Sequence, residues 1–225
     1  MARRSDGGTE DAILRKRILC YGDSNTYGFI PTGGRYDEDT RWPMRLQKEL
    51  GEDYTVIEEG FNGRTCVFDD PVEGGYKSGV NYLPPCLMTH NPLDAVLLML
   101  GVNDTKERFG MTPMTIGQAM MQLIHTAKLY AVNEAGNAAR VVVVAPPPIL
   151  DNLMQTRHAD CFGEQAIAVS RGLSAEFRRI SKLMRCDFFD AAPYAEVSAL
   201  DAVHMTANGH IRLAQALADK LRALL

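Results

Sequence analysis

The chain has 225 residues, 46% of them hydrophobic and 23% charged, with a formal net charge of -4. That length suits one large domain with a single core, since chains of about 150–300 residues bury roughly 70–75% of their unfolded surface. The mildly negative balance, with no basic stripe, argues against nucleic acid or an anionic membrane surface as partner, and the longest apolar run, Ala95 to Leu100, is too short to span a bilayer.

Residues 1–16 are expected to form a mobile tail and 17–225 a single catalytic domain. Arg17 to Tyr21 reads as a first strand. Trp42 to Leu50 reads as a helix, with Thr40 as its cap and Gly51 as its stop. Tyr54 to Ile57 is a second strand. The Gly-rich stretch from Asn62 to Asn81 is expected as a long loop, unusual enough to suggest function. Tyr82 to Thr89 reads as a short helix. Ala95 to Leu100 is a strand buried on both faces, ending at Gly101. Pro113 to Glu134 has helical periodicity, with Met114, Met121, Ile124 and Leu129 among its apolar positions. Val141 to Val144 is a β-branched strand stopped by three prolines, Ala166 to Met184 a helix, and Phe188-Phe189 a last strand. Ala207 to Leu224 is an amphipathic helix, its apolar face formed by Ile211, Leu213, Leu217, Leu221 and Leu224. This alternation predicts an α/β three-layer sandwich around a five-stranded, mainly parallel sheet in the flavodoxin-like order 2-1-3-4-5.

The five cysteines are scattered without a CxxC pair, which argues against a disulfide framework or a structural zinc site. Cys20, inside an apolar run, reads as packing. Met1 to Arg17 lacks the apolar stretch of a secretory signal. A reducing cytoplasm is the expected compartment.

Chemistry concentrates where strands stop. Gly22-Asp23-Ser24-Asn25 follows the first strand directly, placing a hydroxyl at the sheet edge where open α/β folds bind ligands. A serine needs a base to take its proton and a carboxylate to hold that base in the useful tautomer. Asp201 and His204, three positions apart before the last helix, supply both. Acyl transfer also needs donors aimed at the developing oxyanion. The candidates are the backbone N–H of Ser24, the backbone N–H of Gly63 after the second strand, and the side-chain amide of Asn103 after the third. Tyr27, Phe29 and Trp42 are candidates to line an acyl or leaving-group pocket. Asp23 is expected to order the turn. The other histidines read differently: His210 as a solvated helix face, His125 as packing, His90 as a helix-end residue and His158 as an alternative base. No His/Asp/Glu group shows metal-ligand spacing, and no cofactor is expected.

Gly22-Asp23-Ser24, the loop glycine, Gly101-x-Asn103-Asp104 and Asp201-x-x-His204 resemble the four sequence blocks of the SGNH hydrolases, also called GDSL esterases, from Arg17 to the C-terminus. The resemblance implies Ser24 as nucleophile, His204 as base supported by Asp201, and Gly63 and Asn103 as oxyanion donors, with Gly60 the rival glycine. The first block departs at Asn25, where leucine is commoner, and only local packing changes are expected there. Ile57-Glu58-Glu59-Gly60, Arg64-Thr65, Tyr82-Leu83-Pro84 and Asn103-Asp104-Thr105-Lys106 resemble the arylesterase/acyltransferase branch. That implies small acyl groups, alcohols as occasional acceptors and a homo-oligomer.

The reading is a serine esterase hydrolysing small carboxylic esters through an acyl-enzyme. A carbohydrate deacetylase or thioesterase with the same residues is the alternative within the class. A non-catalytic flavodoxin-like module cradling phosphate on Gly22 to Thr26 is the alternative outside it.

Overall fold

The structure, a computed structural model, describes residues 15–225. The expected tail lies almost wholly outside the described residues, and Lys16 already belongs to the first strand. Five strands form one sheet: β1 (Lys16–Gly22), β2 (Tyr54–Gly60), β3 (Ala95–Met99), β4 (Arg140–Ala145) and β5 (Asp187–Asp190). They pair in parallel in the order β2-β1-β3-β4-β5, as the alternation of elements implied.

A parallel sheet must be covered on both faces, and the strand side chains alternate accordingly. Leu19, Tyr21, Val96, Leu98, Val141 and Val143 enter one core cluster. Ile18, Cys20, Ala95, Leu97, Val142 and Val144 enter the other. The first face is covered by α3 (Gly79–His90), α4 (Pro113–Tyr130) and α6 (Gln165–Met184), and the second by α2 (Trp42–Leu50) and α7 (Ala207–Leu224). One-turn helices α1 (Ser24–Tyr27) and α5 (Ala159–Phe162) sit at the rim. A third, smaller cluster beneath that rim joins Val102, Ile149, Leu153, Phe162 and Val203. No helix among the described residues is long and apolar enough to cross a membrane.

Several local expectations need correction. The helix α2 is capped by Arg41 rather than Thr40. Arg41 is buried and its guanidinium binds both oxygens of Glu58, each at 2.7 Å, tying the helix start to β2. The long loop ends earlier than expected, because α3 starts at Gly79. On α4, Met114 and Leu129 face solvent, while Ile116, Met120, Leu123 and Ile124 pack. His125 is exposed rather than packed.

Trp42 is not in a pocket. It is fully buried between the sheet and α7 with Leu46 and Leu217. Its backbone N–H donates to Nδ1 of His210 at 3.3 Å. His210 is therefore a buried core group, not a solvated face, and stands edge-on to Tyr36 at 5.1 Å. Burial, with a smaller contribution from the charge of His204, pushes its pKa down from 6.5 to about 3.

Two expectations follow. Trp42→Ala lowers unfolding free energy by about 3–5 kcal/mol and leaves acyl-length preference unchanged; urea denaturation and an ester series measure the two. His210 folds neutral, so its contribution to stability is present above pH 6.5 and is lost as pH falls toward 3. At pH 4.5 the loss is about 2–3 kcal/mol relative to neutral pH. Denaturation of the wild-type chain and His210→Gln at both pH values checks it, and the variant lacks that share of the acid loss.

Candidate active site

The site stands where the strands end. Gly22 closes β1, and the chain must turn at once. A side chain at Gly22 would bring its Cβ within 2.0 Å of Thr26 Oγ1 and 2.7 Å of the Met99 carbonyl, so only glycine fits between β1 and β3. Asp23 caps α1, its carboxylate accepting from the Asn25 N–H at 2.9 Å. Ser24 is thereby the first residue of a tight helical turn, with its hydroxyl at the rim.

Ser24, His204 and Asp201 meet there. Ser24 Oγ lies 2.9 Å from His204 Nε2, and His204 Nδ1 lies 2.7 Å from Asp201 Oδ2. The other oxygen, Asp201 Oδ1, accepts from the backbone N–H groups of Val203 and His204 at 3.1 and 3.0 Å. The tight Asp-x-x-His turn needs Ala202 in the left-handed region, at φ 65, a strained conformation for a residue other than glycine. Burial raises the Asp201 pKa, but the His204 hydrogen bonds and charge outweigh it and hold the carboxyl below its ordinary range. With Asp201 anionic, the imidazole keeps its proton on Nδ1 and offers a free lone pair to the serine.

The three expected donor residues border one cleft. Ser24, Gly63 and Asn103 line a pocket of about 160 Å³ with Phe29, His158 and His204. Gly63 adopts φ 79 in the loop after β2. Gly60 does different work: a Cβ there would sit 2.1 Å from the Tyr27 backbone nitrogen, so it is the glycine that lets α1 lie on β2. Asn103 Nδ2 donates to the Arg64 carbonyl at 3.1 Å, which fixes the amide plane. The neighbouring Asp104 accepts the Cys66 N–H on both oxygens, at 2.9 and 3.0 Å. The Asn103-Asp104 pair thus clamps the backbone on either side of Thr65. Burial pushes the Asp104 pKa up to about 7 and that of Asp23 up to about 6.

Of the expected pocket residues, only Phe29 lines the cleft, its ring 4.6 Å from that of His204. Tyr27 lies instead beneath the Arg35 guanidinium at 4.3 Å. His158 is near but not in the serine's hydrogen bond. Its ring is 5.6 Å from His204, and its Nε2 lies 3.8 Å from Asp201 Oδ2. Burial, then the charge of His204, holds it below its ordinary pKa. His90 ends α3, as expected, and meets Glu59.

Several contributors escape a reading of spacing alone. Asn25 is more than packing: its Oδ1 accepts from the Met205 N–H at 2.9 Å and its Nδ2 donates to the Val203 carbonyl at 3.3 Å, so it brackets His204. Arg64 donates from one Nη1 to the carbonyls of Gly22, at 2.8 Å, and Glu59. It therefore joins the ends of β1 and β2, while its own carbonyl receives Asn103. Lys106, 2% exposed, closes one side of the cleft with Glu73, its Nζ 2.5 Å from Glu73 Oε1. Arg108 and the buried Asp70 complete that network at 2.9 Å. Among the described residues, two groups of metal-ligand type come together from positions distant in sequence: His158/Asp201/His204, two of whose members are already engaged with each other, and Glu59/Cys86/His90.

Residues 20–212 match the model of the GDSL-like lipase/acylhydrolase family. The chain is 35% identical to a carbohydrate acetylesterase from Sinorhizobium meliloti, covering 94% of this chain and 100% of that one with a TM-score of 0.87. It is 37% identical to the native aryl esterase of M. smegmatis, over 93% of this chain and 100% of that one, with a TM-score of 0.86. No curated relative matches the chain by sequence.

Arg64→Met is expected to loosen the rim without unfolding the sheet. Amide hydrogen exchange should quicken in residues 22–26 and 61–66 and stay unchanged in β4 and α7, as read by mass spectrometry of peptides.

Proposed function

The chain belongs to the GDSL-like lipase/acylhydrolase family, and on that premise we propose that it is a serine esterase of short-acyl carboxylic esters. The observation that carries the mechanism is the unbroken hydrogen-bond chain from Ser24 Oγ through His204 to Asp201, at 2.9 and 2.7 Å. As Ser24 Oγ attacks the ester carbonyl, its proton passes to His204 Nε2. The carbonyl oxygen becomes an oxyanion, held by the N–H groups of Ser24 and Gly63 and by Asn103 Nδ2. The intermediate collapses with cleavage of the C–O bond, and His204 returns the proton to the departing alcohol. Water then attacks the acyl-enzyme with His204 again as base, releasing the acid and restoring Ser24. An alcohol in place of water gives acyl transfer.

Two features support a short acyl group. The cleft holds only about 160 Å³, and the Lys106–Glu73 ion pair, buried at its lysine end, closes one side of it in place of an open apolar channel. The acetylesterase and aryl esterase neighbours, at 35% and 37% identity, favour acetyl esters of carbohydrate or aryl alcohols.

Ser24→Ala should reduce hydrolysis of p-nitrophenyl acetate by roughly 10⁴-fold or more with an unchanged circular dichroism spectrum. Asn103→Ala should cost about 10²–10³ in kcat. Unchanged turnover in the serine variant would falsify the assignment. A panel of aryl acetates, acetylated sugars, longer aryl esters and acyl thioesters ranks the substrate classes. A preference for long acyl chains or thioesters sinks the short-acyl reading.

A further inference from the structure

Away from the cleft, a second set of reactive side chains meets between α3 and β2. Cys86 and His90 are four residues apart on α3, which puts thiol and imidazole on one stripe of the helix. The stripe faces Glu59 near the end of β2, whose Oε1 lies 2.9 Å from His90 Nε2. The thiol sulfur, one imidazole nitrogen and one carboxylate oxygen all lie within 4.8 Å of one another.

We propose that Glu59, Cys86 and His90 bind one divalent first-row transition ion, with zinc the best match. Thiolate, imidazole and carboxylate are the donors zinc takes, at about 2.3, 2.0–2.1 and 2.0–2.2 Å. Ligands at those lengths around a tetrahedral ion stand about 3.3–3.6 Å apart, so small rotations of three side chains close the set. A cavity of about 480 Å³ is lined by Glu59 and Tyr82, so the carboxylate of the set borders open space. The Cys86 thiol gives up its proton to water as sulfur bonds the ion. Two anionic ligands and a neutral imidazole then balance the ion's charge. Of the neighbouring guanidinium groups, Arg17 donates to the His90 carbonyl at 3.1 Å, and Arg64 is turned toward the faces of Tyr21 and Tyr82, at 4.1 and 5.4 Å.

The position gives the site a consequence. Glu59 immediately precedes Gly60, and its carbonyl receives Arg64. A bound ion staples α3 to the strand end from which the Gly63 loop departs.

The test uses the full-length protein, reduced, stripped of metal with a chelator and titrated with Co²⁺. The wild-type chain should take up one ion per chain, with a thiolate-to-cobalt charge-transfer band in the near ultraviolet that Zn²⁺ displaces. Cys86→Ser should abolish the band. His90→Gln and Glu59→Gln should each weaken binding by roughly tenfold or more. A Cys161→Ser/Cys186→Ser double variant should behave as wild type. Ser24→Ala should also bind Co²⁺ normally, so this site stands or falls separately from the esterase reading. Absence of the band in the wild-type chain overturns the proposal, as does a band that persists in Cys86→Ser and vanishes in the double variant. Should Cys86→Ser fail to fold, unchanged affinity in His90→Gln overturns it.

Discussion

The rim of this molecule depends on one buried cation. Arg64 is 5% exposed, and its guanidinium donates to the main-chain carbonyls of Gly22 and Glu59. It hydrogen-bonds the ends of β1 and β2 and stacks on Tyr21, 4.1 Å from its guanidinium carbon. A guanidinium taken from water costs several kcal/mol unless its donors are met, and two carbonyls and an aromatic face offset that cost. The arrangement is directional: the carbonyls belong to the residues just before the Ser24 turn and the Gly63 loop, and the Arg64 carbonyl receives Asn103. The three oxyanion donors of the proposed mechanism come from three separate strand ends. One side chain and its own backbone hold them in a common frame. A misplacement of about 1 Å in such a frame costs on the order of 10²-fold in rate.

Environment then divides the labour among three rim carboxylates. Asp23 and Asp104 are buried with few donors, and burial lifts both well above the ordinary carboxylate range. Asp201 has as little exposed surface but lies less deep, and it receives His204 Nδ1 and two backbone N–H groups, which hold it below that range. Groups pushed apart in this way mark distinct roles. The carboxylate kept anionic is the one that faces the imidazole. The two others bind backbone amides at Asn25 and Cys66, where they order turns.

The sequence made the sheet legible because its central strands are continuous apolar runs ended by glycine or proline. The β2 edge strand was harder. Periodicity stops at Ile57, yet the strand continues through Glu58 and Glu59 to Gly60, since Arg41 and His90 pair with those carboxylates. Helices α2 and α7 showed their limits because apolar periodicity and Gly51 mark them, although α2 takes Arg41 instead of an oxygen-bearing cap. Two of the departures concern amphipathic side chains. Trp42 and His210 each carry a polar group and an apolar body, and their contact spans 168 positions, beyond any local pattern. Ser24, Asn103, Asp201 and His204 were readable because strand ends place their blocks at one edge. Asn25 and Arg64 were not, because each acts through backbone groups remote in sequence.

The half-buried ion network at the cleft bears on acyl length by magnitude alone. Lys106 and Asp70 are nearly inaccessible, and Glu73 and Arg108 complete the network. Such a network adds little net stability, yet leaving the buried Lys106 without a partner costs up to about 3–5 kcal/mol. A longer acyl chain entering that space gains about 0.8 kcal/mol per buried methylene. Up to roughly four to six methylenes are needed before burial repays displacement of the network. Intermediate chains meet the full cost with only part of the gain. On the proposed reading, discrimination is therefore steepest in the first few carbons beyond acetyl. Its source is the resistance of charge to desolvation, with the walls of the cleft contributing shape but not the decisive energy.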